Sequence, residues 1–237
     1  LGTNAAGTAA AGNANGISIH ASSSNVIGGT AAADRNVISG NSNVGIVLTN
    51  ASNNNQILGN YVGLNATGTA AVANSAQGIV AIDSSGTLIG NGAANGRNVV
   101  SGNGNTALRL WNADNTTIRG NYVGTNAAGT GDVNGTGADN TKSGIVVDGG
   151  STGVTIGGTN AGDRNIVSGN NWYGIEFIGA GTSGNSALGN YIGTDVTGLV
   201  ALGNSQGGVS FWNGASNNQV GSGAAGARNI IAGNSIG

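Results

Sequence analysis

Two short motifs alternate from one end of this chain to the other, and that alternation limits the fold more than any other feature. The string GNYVG occupies residues 59–63 and 120–124, and GNYIG occupies 189–193. The chain opens on LGTN, the tail of the same motif. Between these strings runs RNVISGN at 35–41, then RNVVSGN from Arg97, RNIVSGN from Arg164 and RNIIAGN from Arg228. One pair of motifs takes about 61–69 residues. A regular period of this kind marks a solenoid, in which each unit buries its apolar side chains only against the next.

Each half-repeat holds three short apolar runs bounded by Gly, Asn, Ser and Thr. The first is of the type RNVIS or NYVG, and the second has the pattern G-I-x-I. The third resembles Gln56-Ile57-Leu58. In the second run two inward residues flank an outward one, which is the period of a strand. Dense Gly and β-branched residues, with no lasting 3.6-residue period, argue against helices. Stacking the repeats predicts three aliphatic columns. The first is Leu1, Ile38, Val62, Val100, Val123, Val167, Ile192 and Ile231. The second is Ile17, Ile46, Ile79, Leu108, Ile145, Ile175 and Val209. The third is Ile27, Ile57, Ile89, Ile118, Ile156, Ala187 and Val220. These columns predict an all-β fold of about seven coils with three short strands each, roughly 34 Å long at about 4.8 Å per coil.

The motifs Asn36-Val37-Ile38-Ser39-Gly40-Asn41, Gly45-Ile46-Val47-Leu48 and Asn55-Gln56-Ile57 resemble the right-handed parallel β-helix of the pectate-lyase-like superfamily. The likeness is closest to the members built from short parallel β-helix repeats, and it covers essentially residues 1–237 as one domain. It implies a single-stranded right-handed parallel β-helix. It implies no single activity, because that fold hosts lyases, hydrolases, epimerases, adhesins and tailspikes. The family's calcium-binding Asp clusters, and its Asp-rich catalytic set with His and Lys, have no counterpart here, so no catalytic residue carries over.

Recurring polar residues have structural readings. Asn36, Asn60, Asn98, Asn121, Asn165, Asn190 and Asn229 stand just before the first strand of successive coils, which predicts an amide ladder. Arg35, Arg97, Arg164 and Arg228 recur at one register, where a guanidinium can cap loop carbonyls. The longer connections from Gly2, Gly63, Gly124 and Gly193 share one side of the rod. They are expected to cover the apolar outer face of the first sheet, which carries Tyr61, Tyr122, Tyr191 and Ile166.

Chemistry has few candidates. There is one His, His20, one Glu, Glu176, and one Lys, Lys142. Cys, Met and Pro are absent, which excludes disulfides, thiol nucleophiles and Cys-based zinc sites. Asp148 and Glu176 fall on neighbouring coils near the outer face of the second sheet, within reach of paired-carboxylate chemistry. Asp132-Val133-Asn134-Gly135, with Asp139-Asn140, begins like a calcium loop inside the long connection 124–142 but lacks the closing Glu. Trp111 and Trp212 share an outward register at the end of the second strand, with Arg109 and Glu176 one outward step earlier. These four are the candidate carbohydrate-binding residues. Trp172 and Tyr173 are read as turn residues that add little. N-x-[ST] sequons occur at Asn50, Asn65, Asn115 and Asn134. An ice-binding array of Thr3, Thr125 and Thr194 ranks last, since Leu64 interrupts it.

With 48 Gly and 37 Asn among 237 residues, more than a third of the chain is turn-forming, and only 7% is charged. The net charge of −2 provides no basic field for nucleic acid, and no apolar run is long enough to span a bilayer. The expectation is an extracellular or cell-surface structural solenoid, an adhesin or filament segment, with no catalytic set, metal or cofactor. The chain starts and stops within a repeat and reads as a segment of a longer protein, whose uncapped edges can stack end to end. The alternative is a β-helix that binds or processes polysaccharide.

Overall fold

The computed structural model describes residues 1–134 and 142–235 and consists of three parallel seven-stranded sheets wound as a right-handed β-solenoid of about seven coils. The second sheet holds the longest strands: Ile17–His20, Ile46–Thr49, Ile79–Ile82, Leu108–Trp111, Ile145–Asp148, Ile175–Ile178 and Val209–Trp212. The third sheet runs from Val26–Gly28 to Gln219–Val220, and the first from Val37–Ile38 to Ile230–Ile231. Register follows the predicted columns. Ile17 pairs with Ile46, Ile46 with Ile79, and Ile79 with Leu108. Ile27 likewise pairs with Ile57 and Ile38 with Val62. The interior members are fully buried, while Leu1 and Ile231 at the two ends are half exposed.

Strands this short hold because the corners between them are hydrogen-bonded. At the corner before the first sheet, Asn36, Asn60, Asn98, Asn121, Asn165, Asn190 and Asn229 form the expected ladder. Each side-chain amide donates to the next Oδ1 at 2.9–3.1 Å. The same oxygen also accepts the preceding rung's backbone N–H, as Asn165 Oδ1 does from Asn121. The second amide hydrogen goes to a carbonyl of the third sheet, such as Ile89 O at 2.8 Å from Asn121. An interior rung therefore uses its whole donor and acceptor capacity.

A second amide column, which the motif spacing did not single out, follows the first strand. It links Asn13, Asn41, Asn74 and Asn103, and then Asn134, Asn170, Asn204 and Asn234. The backbone must turn sharply here. Gly124 has φ +94, and a Cβ on it would run into Ser168 O and the Asn170 side chain.

The long connections cover the first sheet as expected. Tyr61, Leu64, Val99, Tyr122 and Ile166 form a second buried cluster, against which Ala127, Val133, Tyr191 and Val196 pack. Neighbouring connections also bond to one another: Ala66 N–H donates to Gly7 O, Ala127 to Gly68 and Val196 to Gly129, each at 2.9 Å. This arrangement removes the ice-binding array, because Thr125 and Thr194 are buried under the same cover. Three of the four Arg residues cap carbonyls as expected: Nε of Arg35, Arg97 and Arg164 donates to Gly59 O, Gly120 O and Gly189 O. Each guanidinium also lies over a Tyr ring, of Tyr61, Tyr122 and Tyr191, at 4.0–4.2 Å, a contact not foreseen from spacing. Among the described residues no helix is long and apolar enough to cross a membrane.

Candidate functional site

The outer face of the second sheet is where the chain departs most from its repeat. At the middle outward position the column reads Ser18, Val47, Val80, Arg109, Val146, Glu176 and Ser210. Two positions later it reads His20, Thr49, Ile82, Trp111, Asp148, Ile178 and Trp212. The turn residues that enter these strands form one wall, so the face is a trough. Its two halves meet at Gln77 and Arg109, and each is about 350 Å³.

One half is mostly apolar, lined by Val44, Val47, Val80, Ile82 and Trp111, with the amides of Asn43 and Gln77 at its edge. The other half is polar, lined by Asn105, Thr106, Asp148, Trp172 and Glu176 together with Val146 and Ile178. Arg109 forms the divide. Its Nη2 and Nε donate to Asp148 Oδ2 at 2.7 and 3.1 Å, and its guanidinium lies 5.0 Å from the Trp111 ring centre. The ion pair is partly buried, with Asp148 nearly covered.

The two carboxylates do not sit side by side. Glu176 pairs with Val146, two residues before Asp148, so the pair is diagonal and its Cα atoms are about 8 Å apart by strand spacing and rise. Burial pushes the Glu176 carboxyl above its usual range, and repulsion from Asp148 adds to the rise. Ser143 donates a hydrogen bond to Glu176 Oε1 and works against that rise. Ser210 lies opposite Glu176 on the next coil and also favours the charged form. Burial raises Asp148 too, against the opposing pull of Arg109.

Of the four candidate residues, Trp111, Arg109 and Glu176 meet in this trough, whereas Trp212 lines neither half. Trp111 and Trp212 are 44% and 47% exposed, so both keep ring surface free for a partner. Trp172 corrects the sequence reading, since it forms part of the polar half. Its ring stands edge-on to Tyr173 at 5.7 Å, and Tyr173 is edge-on to Trp212 at 6.0 Å. Turn position hid this, because only the three-dimensional stack shows that turn residues wall the sheet. His20 lies on the exposed surface near the first coil, with Nδ1 3.1 Å from Thr49 Oγ1.

The calcium-loop motif falls only partly on the described residues. Asn134 is a rung of the second amide column, donating to Asn170 Oδ1 and accepting from Gly102 N–H. Asp132 Oδ1 accepts the Asn134 backbone N–H at 2.7 Å. Gly135, Asp139 and Asn140 lie outside the described residues. Among the described residues no group of three or more His, Asp or Glu side chains could hold a metal ion. No known protein family, curated protein or solved structure matches the chain.

Proposed function

We propose that the chain is a structural β-solenoid segment of an extracellular or cell-surface protein, related to the pectate-lyase-like parallel β-helices. The observation that carries this reading is the use of the repeating polar residues. Asn and Arg, which recur in every coil or every second coil, are consumed in ladders and in caps on loop carbonyls. Such a chain is built for persistence of shape, with stability summed over neighbouring coils. End-to-end stacking into a filament belongs to this proposal, because coils joined by parallel strand pairing can pair in the same way with a further copy. Two measurements test it. Antibody labelling of intact source cells should mark the surface, and electron microscopy of the isolated material should show rods or fibres with a repeat of about 4.8 Å. Labelling only after lysis would overturn the location.

A second reading, glycan binding on the outer face of the second sheet, is favoured by one observation. Half-exposed Trp111 stands beside Arg109 and Asp148 in an open trough whose other half Glu176 lines. An aromatic face next to fixed polar groups suits a sugar ring, which has an apolar face and a hydroxyl rim. Trp fluorescence titrated with a panel of oligosaccharides tests it. A saturable change, lost in Trp111→Ala, is expected, and no response across the panel would refute it.

A further inference from the structure

We propose that the trough selects neutral glycans of 2-acetamido sugars, an assignment that rests on the glycan-binding reading above. Charge is the first ground. Among the described residues Arg109 is the only cation lining the trough, and Asp148 closes on it through Nε and Nη2. Asp148 and Glu176 together outnumber that one cation, so the trough offers a sugar carboxylate no net positive charge. Glu176, by contrast, is buried, and no cation is bonded to it; Ser143 is its hydrogen-bonding partner. Carboxyl oxygens in this setting accept from hydroxyl and amide N–H groups and repel a uronate.

The second ground is the pairing of apolar surface with amides. Val44, Val47, Val80 and Ile82 form an apolar recess that a plain hexose, rimmed with hydroxyls, leaves wet. Asn43 and Gln77 place carboxamides on the same recess, and Gln77 is shared with the polar half. An acetamido group brings a methyl for the recess and an N–H and C=O for the carboxamides. The trough follows the rod axis over five coils, from Val47 through Val80, Arg109 and Val146 to Glu176, so an extended chain of sugars can lie along it.

The test is calorimetric titration of the protein with oligomers of N-acetylglucosamine, glucose oligomers of equal length and oligogalacturonate. The expected order is acetamido oligomers at least about tenfold tighter than glucose oligomers, with no binding of oligogalacturonate. Gln77→Ala, a partly exposed position outside the core, should bring the acetamido and glucose affinities together while leaving the thermal midpoint unchanged. Trp212→Ala, outside both halves, should leave the order intact. Equal binding of glucose and acetamido oligomers overturns this assignment and leaves the glycan reading standing. Tightest binding of oligogalacturonate also overturns it, and binding of none of the three overturns both.

Discussion

Two corners of the solenoid solve the same problem with unequal success. The corner before the first sheet carries Asn in every coil, and its amide chain runs from Asn36 to Asn229 with no gap. The corner before the third sheet starts the same way, with Asn25 donating to Asn55 at 3.0 Å, and ends the same way, with Asn185 donating to Asn218 at 2.9 Å. Between these pairs the equivalent residues are Thr87, Thr116 and Val154. The hydroxyls of Thr87 and Thr116 are buried and meet no hydrogen-bond partner. A Thr side chain is too short to span about 4.8 Å to the next coil, whereas an amide spans it and still has a second N–H for the backbone. The solenoid thus tolerates a broken ladder at one corner while an unbroken one holds another.

The largest effect is expected at the unbroken corner. Asn121→Ala removes donors to Asn165 Oδ1 and Ile89 O, and it removes the oxygen that accepts both the backbone and side-chain N–H of Asn98. Several buried groups lose partners together, at about 1–3 kcal/mol each before relaxation. A loss of about 4 kcal/mol is expected in denaturant unfolding; a loss under about 1 kcal/mol would show that the ladder follows the fold rather than holding it. Asn185→Ala is expected to cost less, about 2–3 kcal/mol. It sits at the edge of the gap, where it donates to Asn218 and Ser151 O and accepts only from Val154 N–H.

The converse experiment shortens the gap to Val154 alone. Thr116→Asn alone gives a rung with no amide neighbour, because Thr87 and Val154 flank it. Thr87→Asn alone extends the Asn25–Asn55 pair by one rung. The double change joins them and should stabilise by about 1–2 kcal/mol, more than the sum of the single changes. Strict additivity in a double-mutant cycle would mean that the rungs do not cooperate.

These corners also show what could be read in the sequence. The first ladder was legible because its Asn lies inside a recurring string, RN or GN, in front of a strand. The inward columns were legible for the same reason: Ile46, Ile79 and Leu108 follow a Gly or Ala at fixed spacing. The second amide column was hidden because the residues before Asn74 and Asn134 break the GN string. Trp172 was misjudged because the turn it occupies changes composition from coil to coil, and only stacking turns it into a wall beside Arg109 and Glu176. A repeat reveals what it repeats, so the scaffold was plain and the trough, built from its exceptions, was not.

The smallest effect separates the corners from the trough. Amides do not titrate, so the cost of Asn121→Ala should be the same at pH 4 and at pH 8. Glu176 should behave otherwise. Its carboxyl is raised by burial above the ordinary 4.5, so the folded chain holds that proton more tightly than the unfolded one. Its contribution to stability is fully present below 4.5 and is lost as pH rises through the folded value. Asp148, raised from 3.8 for the same reason, adds a slope of the same sign. Glu176→Gln keeps the shape, and the side-chain carbonyl still accepts from Ser143, while the charge is gone. It should therefore leave stability near pH 4 unchanged and raise it above the wild type at pH 7–8, flattening but not abolishing the pH dependence, because Asp148 remains. Parallel stability curves for wild type and Glu176→Gln would mean that the trough solvates the carboxylate as well as water does. The contrast between a saturated amide corner and an uncompensated carboxylate on the sheet would then fail.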